Sequence, residues 1–198
     1  RQPHAAGAPH HAGADPVADA RTGQPDRREL QELRQTPRLP RRRHLRRVME
    51  IEEGLYPRPW THRTFVTEIS LMREGARYYL VAYVGDVLVG YGGLMFSGDD
   101  AHVTNVAVDP DWQGRGVATE IMLDLVILAR DRGCLAMTLE VRHTNTAAQQ
   151  LYRRFGFVPA GIRKKYYENK DDAIIMWAHG IDTPEFLERV RLIESRRP

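Results

Sequence analysis

The chain has one cysteine, Cys134, so no intramolecular disulfide can form, which is the usage of a reducing compartment. It also lacks a long apolar run. The longest, around Ile121 to Ala129, is interrupted by Asp124 and is too short to cross a bilayer. No continuous apolar stretch at the start marks a secretory signal. Together these absences predict a cytoplasmic protein with no membrane partner. Cys/His ligand spacing is missing too, so His4, His10 and His11 read as solvated side chains and no metal is expected. Nor does a Cys-His arrangement offer a nucleophile, and Cys134 beside Gly133 reads as a small buried residue.

An excess of positive charge is missing outside the first quarter of the chain. The net charge is +3, which by itself suggests nucleic acid. Residues 1–48, however, hold 11 Lys and Arg against 5 Asp and Glu, leaving the rest of the chain at −3. A basic groove for nucleic acid is therefore not expected on the folded body. The arginines from Arg41 to Arg47 lead into Val48, Met49, Ile51 and Leu55 at near-helical spacing. They read as the solvated face of a first helix, with RNA contact as the alternative.

What is present is enough for one domain. Hydrophobic residues make up 42% of 198, sufficient for a core. Residues 1–30 are rich in Ala, Gly, Pro, His and Arg and bury too little to offset ordering entropy, so they read as a disordered tail. Residues 33–39 read as a short edge strand, confined there by Pro37 and Pro40. Thr61 caps a second helix carrying Phe65, Ile69, Leu71 and Met72. Tyr78–Val84 and Val87–Phe96 form a hairpin around Gly85-Asp86, and Gly90, Gly92 and Gly93 predict a bulge or a close backbone approach. A third strand runs from Ala101 to Val108, and a helix with Ile121, Leu125 and Leu128 on one face ends at Gly133. In Leu135–Val141 the odd-numbered residues share an apolar face, opposite Ala136, Thr138 and Glu140. A helix over about 145–155, two strands (157–167 and 173–179) and a helix opened by Thr183-Pro184-Glu185 complete the order. The domain is then 33–180 and the extension 183–198. Trp60, Trp112 and Trp177 read as packing residues.

The informative stretch is residues 105–119, N-V-A-V-D-P-D-W-Q-G-R-G-V-A-T. A strand stops at Asp109-Pro110, a glycine loop follows, and a helix begins. Such a junction points several unpaired N–H groups one way at the positive end of a helix dipole, a ready site for a pyrophosphate. Gly114 and Gly116 let backbone approach an anion, and Arg115 adds a charge. Walker loops and dinucleotide fingerprints do not fit. The pattern Q/R-x-x-G-x-G/A does, through Gln113, Gly116 and Ala118, and it resembles the pyrophosphate loop of the GNAT family of acetyl-CoA-dependent N-acetyltransferases. An ordinary strand-to-helix turn is the alternative for the loop taken alone.

Further strings sharpen the resemblance: L-E-V-R-x-x-N-x-A-A-x-x-L-Y from Leu139 to Tyr152, Gly156-Phe157, R-x-x-Y-Y from Arg163 to Tyr167, and D-A-I-I-M from Asp172. Over residues 40–178 or so the chain is similar to the RimI-type ribosomal-protein-alanine N-acetyltransferases. The resemblance implies an α+β fold with a mixed, mostly antiparallel sheet, a splayed central strand and flanking helices. It implies acetyl-CoA as co-substrate, met by the backbone of Val106, Ala107 and Val108, by a pyrophosphate cradle of Gly114, Arg115, Gly116, Val117, Ala118 and Thr119, and by Asn145 on the pantetheine arm. By the same resemblance Glu140 is the general base and Tyr152 the general acid. Asn145 and Tyr152, seven apart, share a helix face. A ribosomal protein N-terminus is the implied partner. The other readings are a small-molecule amine or lysine side chain as acceptor, and a non-catalytic acetyl-CoA-binding regulatory module.

Overall fold

The computed structural model describes residues 42–196. The expected strand at 33–39 and the tail at 1–30 lie outside the described residues. Helix α1 (Arg42–Leu55) and α2 (His62–Arg73) come first. Three strands follow, β1 (Arg77–Val84), β2 (Val87–Ser97) and β3 (Asp100–Val108), then a short 3-10 turn at Pro110–Trp112 and helix α3 (Val117–Asp131). Strand β4 (Ala136–Arg142), helix α4 (Thr146–Arg154), strands β5 (Val158–Tyr167) and β6 (Asp171–His179) and helix α5 (Pro184–Ser195) complete the chain.

The strands form one sheet in the order β1-β2-β3-β4-β6-β5. All neighbours are antiparallel except β3 and β4, which are parallel. That parallel pairing covers only Asp100↔Ala136 to Val103↔Leu139. Beyond it β3 stays with β2 as far as Val108, and β4 stays with β6 as far as Arg142. The sheet therefore splits along its middle, and from Thr104 onward the edge of β3 toward β4 has no strand partner among the described residues.

The two faces carry different cores. On one, α3 buries Ile121, Met122, Leu123, Leu125 and Val126 to 1% exposure or less, against β-strand residues including Val103, Leu139 and Val141. Each such side chain contributes on the order of 1.5–3 kcal/mol. The buried face is wider than the expected Ile121, Leu125 and Leu128. The close approach anticipated at the β2 glycines is real: a Cβ on Gly92 would lie 2.5 Å from Ile121 Cγ2. A register shift falls between Gly93 and Leu94. Helix α5 joins this same core through Phe186, Val190 and Ile193. Cys134 is buried in it.

On the other face α1 and α2 lay Leu45, Val48, Ile51 and Phe65 against Val81, Tyr91 and Ala107. This smaller core admits polar groups, each with partners. Buried Glu52 accepts the Tyr91 hydroxyl and the Trp60 backbone N–H, fixing the turn between the helices. Glu68 of α2 accepts Tyr79 Oη at 2.8 Å and pairs with Arg77 at 2.9 Å. Thr61, Gly133 and Thr183 stand at the helix ends where the sequence places them. Leu135 does not: it precedes β4, its side chain is 48% exposed, and its backbone N–H and C=O serve Asp99 and Ile181. The alternation from Ala136 onward otherwise runs as expected, with Met137, Leu139 and Val141 inward.

Candidate functional site

The mouth of the split holds the glycine loop. Asp109 ends β3 with its N–H bonded to Val89 O at 2.8 Å, and its carboxylate accepts Asp111 N–H at 3.0 Å. Arg47 of α1 pairs with that carboxylate and donates to Leu88 O. One member of the arginine run thus anchors the loop, a role that local sequence did not signal. Gln113 Nε2 donates to Val108 O at 3.1 Å and folds the loop back over the strand end. Gly114 and Gly116 take φ of 75° and 85°, left-handed values that admit glycine readily. Gly116 caps α3 without any side-chain bond; Thr119 N–H turns back to Gly116 O at 2.9 Å, which leaves the amides of Val117 and Ala118 to offer.

A groove of about 460 Å³ runs from this loop to α4. One wall is Val106, Ala107 and Val108 with Gly114, Gly116, Val117 and Ala118. The other is Asn145, Ala148, Leu151 and Tyr152 of α4, with Leu55 and Tyr56 closing one side. Asn145 and Tyr152 do share this face, but Asn145 is the helix cap: its Oδ1 accepts Ala148 N–H at 3.0 Å, leaving its amide N–H groups to offer. Arg115 and Thr119, expected in the cradle, do not line the groove. The Arg115 guanidinium stacks on the Trp112 ring at 4.9 Å, and Thr119 is the third residue of α3. Trp112 packs against the larger core, as expected, and also lines the groove.

Tyr152 is 8% exposed, and its ring packs on Phe157 at 6.0 Å. Burial, then the neighbouring Tyr56 and Tyr167, raises its hydroxyl well above the ordinary tyrosine value, so it holds its proton at neutral pH. Tyr56 is pushed up to about 12 by burial and by the Glu52 carboxylate, against the lowering charge of Arg142.

Glu140 is not on the groove wall but on the other face of β4, with only 11% of its side chain exposed. His102 Nε2 of β3 lies 3.0 Å from Oε2, and Arg163 Nη1 of β5 lies 3.2 Å from Oε1. The His102 hydrogen bond holds the carboxyl below the usual glutamate value against the opposing effect of burial; the charges of His102 and Arg163 add to the lowering. Glu140 is thus an anion at neutral pH. Its backbone O accepts the Tyr167 hydroxyl at 3.2 Å, and Tyr167 lies under the Arg142 guanidinium at 4.5 Å. Arg142 is in turn paired with Glu168 and Asp171. His102, Tyr56 and Tyr167 were not assigned from sequence; the single signal for Tyr167 was its place in R-x-x-Y-Y.

The parts suit a pyrophosphate-bearing thioester: amides at an uncapped helix start, left-handed glycines and a strand edge without a partner. Among the described residues no group of three or more His, Cys, Asp and Glu is placed to hold a metal ion, and no helix is long and apolar enough to cross a membrane. A sheet split between parallel strands, with a glycine loop and a helix start at its mouth, defines an acyl-CoA N-acyltransferase fold. The chain belongs to the GNAT family of acetyltransferases, whose pattern matches residues 45–157. Members of this family use acetyl-CoA.

The [ribosomal protein bS18]-alanine N-acetyltransferase of Escherichia coli (strain K12) is 34% identical over 131 residues, which are 64% of this chain and 84% of that protein. The N-alpha-acetyltransferase RimI of Mycobacterium tuberculosis (strain ATCC 25618 / H37Rv) is 35% identical over 127 residues, 61% of this chain and 77% of that protein. The crystal structure of the ribosomal-protein-S18-alanine N-acetyltransferase from Escherichia coli superposes with a TM-score of 0.66 at 28% identity, covering 73% of this chain and 93% of that one.

Proposed function

We propose that this chain transfers the acetyl group of acetyl-CoA to the N-terminal α-amine of a protein, the alanine that begins small-subunit ribosomal protein bS18. The observation that carries the reading is the pairing of two sites across the split sheet. A groove with a glycine loop ends at the protonated Tyr152, and the anionic Glu140 stands on the opposite face of the strand beside it. The relatives named for bS18-alanine acetylation supply the acceptor.

In this reading the acyl donor lies along the open edge of Val106–Val108, with its pyrophosphate at Gly114, Gly116, Val117 and Ala118 and its pantetheine arm at Asn145. The donor supplies a thioester carbonyl for attack. Glu140, directly or through a water, takes the proton that the α-ammonium must lose before its nitrogen becomes a nucleophile. The C–N bond forms as the C–S bond breaks, Tyr152 gives its proton to the departing sulfur, and the second proton that the new amide nitrogen sheds restores the Tyr152 hydroxyl by way of solvent. An α-amine, with a pKa of about 7.7–8.0 against about 10.4 for lysine, gives up this proton more readily than a lysine side chain does. Transfer is direct, with no acetyl-enzyme.

Mass spectrometry of short peptides with varied first residues, incubated with the chain and acetyl-CoA, tests this. The expected product is acetylated at the N-terminus of the Ala-starting peptide and bare at its internal lysines. Preferential lysine modification would overturn the reading.

A further inference from the structure

Glu140 meets the solvent side through a residue that the transfer chemistry does not use. Of its two partners, His102 stands on β3 within the last paired stretch before the sheet splits, with 23% of its side chain exposed. Arg163 stands on β5, the outermost strand, with 53% exposed. The segment that carries Arg163 departs from regular pairing. Arg163 pairs with Ala173 and Tyr167 with Asp171, so three residues of β5 face one of β6. Lys165 takes a φ of 52° within this bulge. Asp172 pins it, accepting Lys165 N–H at 2.9 Å and pairing with Lys164 Nζ at 2.7 Å. Bulges of this kind re-aim side chains. Here the Arg163 guanidinium sits against Glu140 Oε1 with the Tyr166 ring 5.5 Å away.

We propose that Arg163 is a place-holder for the acceptor: the α-ammonium of an incoming chain end displaces its guanidinium from Oε1 of Glu140, while His102 keeps its hold on Oε2. This rests on the acceptor reading above. An ammonium is a cation that can make the same charge-assisted bond to the same oxygen. Exchanging one cation for another never leaves the largely buried carboxylate bare, a state that is costly. The two holders suit the two tasks. His102 is enclosed between strands and stays; Arg163 is half in water, where an ion pair is weak and readily given up. The exchange also selects. A free α-amine arrives as a cation and competes for Oε1, whereas an acetylated chain end has no charge with which to displace the guanidinium. Arg163 then returns as the product leaves.

Calorimetry on the chain saturated with CoA, titrated with an Ala-starting peptide and separately with its N-acetylated form, tests this in wild type, Arg163→Gln and Arg163→Lys. With the competitor removed, Arg163→Gln is expected to bind the free-amine peptide about two- to fivefold more tightly, the scale of an exposed ion pair. The acetylated peptide should bind as before, and Arg163→Lys should restore the wild-type value. A residue that merely braces β5 would weaken both peptides together. Unchanged or weaker binding of the free-amine peptide to Arg163→Gln, in a wild type that does transfer acetyl to it, overturns the place-holder alone. A wild type that leaves every Ala-starting peptide unmodified overturns the acceptor reading and the place-holder with it.

Discussion

The two sides of the split sheet are made from different material. The loop wall of the groove is one continuous segment, Val106 to Ala118, and what it offers is backbone: a strand edge, two left-handed glycines and the first amides of α3. The Glu140 side is side chains drawn from separate elements, with His102 from β3, Arg163 and Tyr167 from β5 and Glu140 itself from β4. A backbone site specifies its residues by what they leave out, namely bulk, a side-chain cap and a competing charge. A side-chain site specifies by mutual satisfaction, each carboxylate oxygen having its donor. Adding atoms should therefore damage the first side, and removing a single group should damage the second.

The largest effect is expected where an anion is added to the backbone site. Gly116→Asp places a carboxylate at the cap of α3, where the pyrophosphate is proposed to lie. Asp is a favourable cap and tolerates the left-handed region better than most residues, so the fold should survive. Acetyl-CoA binding measured by calorimetry should be abolished. An affinity equal to that of wild type would remove the glycine loop from the site.

The same contrast explains what could be read beforehand. A contiguous segment is visible in one sequence window, so the loop, the strand that stops at Asp109 and the cap positions of Thr61 and Thr183 were all legible. Glu140 was legible as a residue on the polar face of an alternating strand, because Met137, Leu139 and Val141 face inward. Its partners were not. His102 and Arg163 reach it only through the strand order, in which β6 comes between β4 and β5. Sequence carries no local mark of such a crossing. Arg47 on Asp109 is hidden for the same reason, inside a run whose other arginines suggest a solvated face. Arg115 is a different case: the loop carries it, and its guanidinium lies on the ring of Trp112, a contact within the loop that a glycine pattern does not specify.

Tyr152 belongs to both sides: it lines the groove beside Tyr56, while its other electrostatic neighbour, Tyr167, donates to the backbone O of Glu140. Tyr152→Phe keeps the ring on Phe157 and removes the proton. A fall in kcat of about 10²-fold or more is expected, within the range of general acid catalysis, with acetyl-CoA affinity retained. Stopped-flow or steady-state kinetics with CoA release as the readout decides it. Near-normal turnover would make the ring structural and leave water to protonate the thiolate.

The smallest effect is expected at Glu140, and it depends on pH. Because the His102 hydrogen bond depresses its pKa, Glu140 is charged throughout the assay range, so the pH dependence of its removal must come from the acceptor. Below the α-amine pKa of about 7.7–8.0 the acceptor is an ammonium and needs a base; above it the amine is free without help. Glu140→Gln should thus lose most rate at low pH and recover partly as pH rises. Stability supplies an independent arm. A carboxylate whose folded pKa lies below its unfolded one stabilises the fold above the unfolded value, about 4.3, and loses that contribution as pH falls through the folded value. The gap in Tm between wild type and Glu140→Gln should accordingly be widest near neutrality and close as pH drops below the ordinary glutamate range. A variant whose pH–rate profile matches wild type would deny Glu140 the role of base. If the Tm gap nevertheless closed with acid, Glu140 would be a brace between β3 and β5 and the proton would have to leave by another route.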